Sequence, residues 1–320
     1  MFANAATSDG RYLIGASRPD AAQPDSAHTV PGQAVLYEVG SGNVVPMARL
    51  AFPSSQILSA AGDGRWVVWQ EANDEPDFYN WRLRAYDLET GSVHEIARAT
   101  TGAGGAPLPG PLSFVATGHG LAMWGQGVGP RVIAGSMQDA VVRQADLASG
   151  RVATVATSAG WPTLSWPWVA WVVFEGGGGY VHAENLNSGW TSRLAIRPAS
   201  LSLSGASLAY NDAASLSVWL IDRIDGGGTG TMIARSPQGN YLEWPTINSR
   251  IVAWAENGSS DVFDRALGQE VVLPVSYGWS SSTVSGPLLV WEETDPSTPV
   301  SQAWPDRAAV LDTSVLPQRP

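Results

Sequence analysis

Short apolar runs that end in an aromatic ring recur along the chain. They read Trp66-Val67-Val68-Trp69, Leu121-Ala122-Met123-Trp124, Trp168-Val169-Ala170-Trp171, Ser207-Leu208-Ala209-Tyr210, Ile251-Val252-Ala253-Trp254 and Leu288-Leu289-Val290-Trp291. Tyr12-Leu13-Ile14-Gly15 is a degenerate first copy. The closing positions 15, 69, 124, 171, 210, 254 and 291 lie 37 to 55 residues apart. Each run is rich in β-branched and aromatic residues, which predicts a buried strand. A second pattern keeps phase with the first: a polar residue opens a glycine turn. It reads Glu38-Val39-Gly40-Ser41-Gly42, Asp87-Leu88-Glu89-Thr90-Gly91, Asp146-Leu147-Ala148-Ser149-Gly150 and Asn185-Leu186-Asn187-Ser188-Gly189, with weaker copies at Asp222, Asp264 and Asp306.

A period near 40 residues with these elements predicts an all-β chain: a seven-bladed β-propeller of four-stranded antiparallel blades. One blade cannot bury both its faces, so neighbours around an axis cover them and the anchor rings fill the wedges. In the second repeat, strand A is expected near Ile57–Ala61, B at Arg65–Glu71, C at Trp81–Asp87 and D at Ser92–Ala97. The blades fall at about 1–52, 53–106, 107–157, 158–198, 199–240, 241–278 and 279–320, one propeller domain over 1–320. This division leaves each blade whole, although a strand borrowed from the other terminus is the usual way to close such a ring. Two β-sandwich domains are the rival, and they leave the in-phase columns unexplained.

The unit Asp-Gly-Arg, apolar run, aromatic, loop, strand, Asp-Leu-x-Thr-Gly resembles the TolB-type (WD40-like) bacterial propeller repeat. Asp9-Gly10-Arg11 and Asp63-Gly64-Arg65 match its turn between strands A and B. Asp87 to Gly91 and Asp146 to Gly150 match its turn between C and D. The resemblance specifies blade construction rather than activity. It implies a periplasmic or extracellular bacterial protein. Nothing in the chain corresponds to the N-terminal α/β domain of TolB, so the Tol partners do not carry over.

Composition narrows the chemistry. There is no cysteine, hence no disulfide framework, thiolate nucleophile or cysteine zinc site. All 18 basic residues are arginine, which excludes Schiff-base and phosphate-loop lysines. A formal charge of −11 argues against nucleic acid. No apolar stretch is long enough to span a bilayer. The N-terminus shows no signal-peptide pattern. His94-Glu95 lacks the second histidine of a zincin, and no Gly-x-Ser-x-Gly elbow occurs. The loop Glu71-Ala72-Asn73-Asp74-Glu75-Pro76-Asp77 is dense in oxygens that calcium could take, but it lacks EF-hand spacing, so no cofactor is expected. His119 is placed in an A–B turn and His182 on a strand C, both as surface or internally satisfied groups.

Loops joining D to A and B to C gather on one face around the axis, where propeller sites are commonly found. Two residues past each anchor stand Ser17, Glu71, Gln126, Val173, Asp212, Glu256 and Glu293. The acids Glu71, Asp212, Glu256 and Glu293 read either as a rim for a cation, a basic group or sugar hydroxyls, or as caps serving the repeat. Trp161-Pro162-Thr163-Leu164 and Trp244-Pro245-Thr246-Ile247 are near copies at the start of strand A, and Trp279 holds the same place in the last blade. Trp161, Trp244 and Trp279 read either as flat platforms beside those acids or as inter-blade packing. Three functions follow. The first is a non-enzymatic binding or scaffold propeller that presents a Trp- and acid-lined mouth to a protein or glycan partner. The second is a polysaccharide hydrolase or lyase using acids such as Glu71, Glu256 or Glu293. The third is a self-assembling structural subunit.

Overall fold

The computed structural model describes residues 2–17, 32–51, 56–72, 80–101, 105, 108, 110, 113–129, 137–175, 178–212, 214–227, 229–237, 239–256, 259–272, 282–293 and 307–316. These form seven antiparallel sheets, each made of strands consecutive in the chain. Blade 1 holds β1 (Phe2–Ala6), β2 (Tyr12–Ser17), β3 (Gln33–Glu38) and β4 (Val44–Arg49). Blade 2 holds β5 (Gln56–Gly62), β6 (Trp66–Ala72), β7 (Trp81–Asp87) and β8 (Val93–Arg98). Blade 3 holds β9 (Ala116–Gly118), β10 (Leu121–Gly127), β11 (Ala140–Asp146) and β12 (Arg151–Thr157). Blade 4 holds β13 (Ala159–Ser165), β14 (Trp168–Glu175), β15 (Gly178–Asn185) and β16 (Trp190–Leu194). Blade 5 holds β17 (Ser200–Ser204), β18 (Ser207–Asp212), β19 (Ser217–Ile221) and β20 (Thr231–Arg235). Blade 6 holds β21 (Leu242–Ile247), β22 (Ile251–Glu256), β23 (Ser259–Asp264) and β24 (Gln269–Val272). Blade 7 shows β25 (Ser282–Ser285), β26 (Leu288–Glu293) and β27 (Arg307–Asp312), three strands among the described residues. The second blade follows the sequence expectation to within a residue or two at every boundary.

The anchor column does what its size demands. Trp69 packs with Ile14, Leu36 and Met47 of blade 1, and Trp124 with Trp66, Val68 and Leu83 of blade 2. Trp171 meets Met123 and Val142, Tyr210 meets Ala170 and Val181, Trp254 meets Ala209 and Val218, and Trp291 meets Ile251 and Val262. Each of these six rings therefore seals its own blade to the preceding one, removing a large apolar area from water at six of the seven joints; blade 1 carries Gly15 at the anchor position.

The two sequence motifs are joined in space. In the A–B turn, Asp63 Oδ1 accepts the N–H groups of Arg65 and Trp66. The Arg65 side chain then reaches the C–D turn, where it pairs with Asp87 at 3.0 Å. Arg11 with Glu38 and Arg250 with Asp264 repeat the pair in blades 1 and 6. This bond to Arg65 is the main cause holding Asp87 below the usual carboxylate range; Glu38 is lowered first by Ser41 and then by Arg11. Gly91 closes its turn at φ 69°, a conformation that costs other residues a clash at Cβ. In blade 7 the acid opening this turn is Asp312, not Asp306. Thr313 N–H bonds Pro287 O, the equivalent of Leu88 N–H to Arg65 O, while Asp306 lies outside the described residues. The seventh copy lacks a turn glycine, so the sequence pattern slipped to the nearer aspartate.

Hydrogen bonds stitch blade to blade along the innermost strands. Ser59 Oγ accepts Val115 N–H, Thr163 Oγ1 accepts Leu203 N–H, and Thr246 Oγ1 accepts Val284 N–H. At the joint between blades 7 and 1, Leu288 and Val290 pack on Ala6 and Leu13, and Ser285 donates to Ala6 O. The backbone is so close there that a Cβ on Gly286 would run into Ser8 O. Among the described residues no strand is exchanged across this joint.

Candidate functional site: the axial channel and its two ends

The innermost strands enclose an axial cavity of about 880 Å³. Its wall is built of small residues, including Ala5, Ala60, Ala61, Ala116, Ser202 and Thr283. Small side chains on the first strand of each blade leave the axis open where large ones would fill it.

The end where strands A begin carries Trp244. Its Trp-Pro-Thr segment forms a β-bulge: pairing with β22 slips between Glu243 and Thr246, and Trp244 sits at φ 42°. The bulge turns the indole to the channel end, where it stays 47% exposed. Phe114, just ahead of β9 and 53% exposed, meets it edge-on with ring centroids 5.8 Å apart. Blades 3 and 6 face each other across the ring, so this pair spans the axis. Trp161 has the same bulge and φ 49°, yet it lies edge-on to Phe174 at 5.3 Å and packs with the core between blades 4 and 5. The near copies thus share a backbone but not a neighbourhood. Trp279 lies outside the described residues.

The acidic column is dispersed rather than gathered. Glu71 is 1% exposed; its carboxylate accepts Trp69 Nε1–H at 3.2 Å and Ala51 N–H at 3.2 Å, and Arg84 stands 3.6 Å away. Burial, outweighing these partners, pushes Glu71 above the usual carboxylate range. Gln126 takes the indole N–H of Trp124 in the same way. In blades 2 and 3, therefore, the residue two past the anchor satisfies the buried ring. Glu256 Oε1 accepts the Ser236 hydroxyl and the Asn240 amide, tying down the chain between blades 5 and 6. Asp212 Oδ1 caps the N–H of Ala214 in its B–C loop. Glu293 closes β26. The rest of the acidic loop after Ala72, residues 73–79, lies outside the described residues, and among the described residues no cluster suited to a metal ion occurs.

The opposite end, ringed by A–B turns, holds His119, where the sequence placed it, beside Trp166, which the sequence did not single out. His119, at φ 55° in the β9–β10 turn, stacks on Trp166 of the β13–β14 turn, with centroids 4.2 Å apart and planes 21° from parallel. Both rings border the channel. No sequence signal joins them, because the turns are 47 positions apart and meet only when blades 3 and 4 stack. Two charged residues among those bordering the channel are already engaged. Asp63 Oδ2 accepts Gly120 N–H at 2.7 Å, and Arg250 pairs with Asp264 at 2.7 Å.

No family model matches the chain, and no curated protein matches it. Solved structures do. TolB from Acinetobacter baumannii aligns over 85% of this chain with a TM-score of 0.51 at 13% identity. This chain spans 65% of that TolB's length. The β-propeller domain of the Trilobed protease from Pyrococcus furiosus, described as having an open velcro topology, aligns over 91% of this chain and 90% of its own at TM-score 0.55 and 12% identity. Oligogalacturonate lyase from Vibrio parahaemolyticus aligns over 97% and 88% at TM-score 0.57 and 10% identity. These likenesses concern the fold, which is that of a seven-bladed β-propeller.

Proposed function

We propose that the protein is a non-enzymatic binding propeller that holds a protein or glycan partner at the channel end marked by Trp244 and Phe114. The observation that carries this reading is the half-exposed aromatic pair. Large rings left in water at a concave site are the usual anchors of recognition, for apolar side chains and for the C–H faces of sugars alike. The internal engagement of Glu71, Asp212 and Glu256 supports a binder over a hydrolase, which needs two acids free to reach one bond. No helix of the described residues is long and apolar enough to cross a membrane. An exported protein, periplasmic or extracellular, fits the reading.

A glycan array and a panel of polysaccharides test it. The wild type is expected to retain an array ligand and release no products, and Trp244→Ala is expected to lose that ligand while its melting temperature stays within a few degrees. Trp161→Ala, whose ring is packed, should instead destabilise the fold. A clean array together with polysaccharide cleavage would overturn the reading.

A further inference from the structure

We infer that the A–B-turn end of the channel is a second binding site, for a neutral carbohydrate, separate from the mouth at the opposite face. The cavity volume of about 880 Å³ falls in the range of small-molecule sites. The wall offers hydroxyls that no neighbour uses: Ser8, Ser202, Ser204, Ser249 and Thr283 border the cavity, and their side chains have no hydrogen-bond partner among the described residues. Such groups donate and accept, as sugar hydroxyls do. Between them, alanines present apolar surface for C–H groups. The stacked His119–Trp166 pair supplies a ring face at the rim. The Phe114–Trp244 pair bridges the far end, so a ligand entering past His119 meets an aromatic floor.

Charge selects the ligand. Asp63 is turned to the backbone and Arg250 to Asp264, which leaves the described wall without an uncommitted ion. An anionic sugar would surrender its hydration with no cation to replace it. The formal charge of −11 would repel it further. A neutral sugar needs only the hydroxyls and ring faces present.

Calorimetric titration with glucose-, mannose- and xylose-based hexasaccharides, and with hexagalacturonate, tests this on the full chain. At least one neutral hexasaccharide is expected to bind, with hexagalacturonate at least about tenfold weaker, the factor that 1.4 kcal/mol represents. Ser202→Phe puts a ring into the bore and should abolish that binding. His119→Asn, chosen because asparagine tolerates a positive φ, should weaken it about two- to tenfold, the worth of one ring contact. Trp244→Ala, which removes a ring from the far end only, should weaken it less than Ser202→Phe does. Thermal melting of each variant confirms folding. The inference falls if no neutral sugar binds, if hexagalacturonate binds equally, or if a folded Ser202→Phe variant binds as the wild type does. Should Trp244→Ala abolish neutral-sugar binding while Ser202→Phe spares it, the opposite mouth is the only sugar site and the reading under Proposed function stands alone.

Discussion

Replacing Asp261 with asparagine should stabilise the protein above neutral pH and do little in acid. The residue facing each anchor across the blade normally suits an aromatic neighbour. Arg84 lies over Trp69 at 5.3 Å, His182 stacks on Trp171 at 4.4 Å, and Trp219 stacks on Tyr210 at 6.3 Å. In blade 6 that position, opposite Trp254, is Asp261. It is 9% exposed and has no hydrogen-bond or ion-pair partner among the described residues. Burial first, then the charges of Glu270 and Glu256, push its carboxyl from 3.8 up to about 6. A raised acid binds its proton more tightly when folded. Between about pH 4 and pH 6 the folded state therefore holds a proton that the unfolded chain releases, and stability falls as pH rises through that window. At about 1.4 kcal/mol per unit, the penalty above pH 6 has a ceiling of about 3 kcal/mol. Relaxation of the site toward water reduces it to about 1–2 kcal/mol. Urea denaturation of wild type and Asp261→Asn at pH 4 and pH 7.5 measures it. The variant should gain about 1–2 kcal/mol at pH 7.5 and close to nothing at pH 4. An equal gain at both values, or none at pH 7.5, would refute the argument that an unpaired charge sits at this joint.

Two further substitutions probe the joints between blades. Thr163→Val keeps the shape but strands the buried N–H of Leu203, and should cost about 1–3 kcal/mol in chemical denaturation. Trp124→Ala empties the wedge between blades 2 and 3 and should cost about 3–5 kcal/mol or prevent folding, read from soluble yield and denaturation midpoint.

Blade construction was legible because it is periodic and local. The anchors, the Asp-Gly-Arg turns and the C–D turns each repeat a physical need within some 40 residues, and the strands of blade 2 lie where the pattern put them. The site was less legible because its members come from different blades. Trp161 and Trp244 share residues and backbone, and only Phe174 or Phe114, elsewhere in the chain, decides whether the ring packs or stays open. The pairing of His119 with Trp166 depends on how two turns abut. One signal was available and overlooked: Glu71 and Gln126 each follow a buried tryptophan by two positions, and an acceptor there can reach the indole N–H. The arginine of each Asp-Gly-Arg turn likewise preceded the acid it pairs with, by 27 residues in blade 1 and 22 in blade 2.

The ring's last joint has a mechanical consequence. Six joints are spanned by the polypeptide itself as it passes from one blade to the next. The seventh, between β26 and β1, is held by a small apolar patch, the Ser285 hydroxyl and a close fit at Gly286. Among the described residues no strand ladder crosses it. Under heat or load the disc should spring there first, like a split washer, and uncoil into a string of intact sheets before any of them melts.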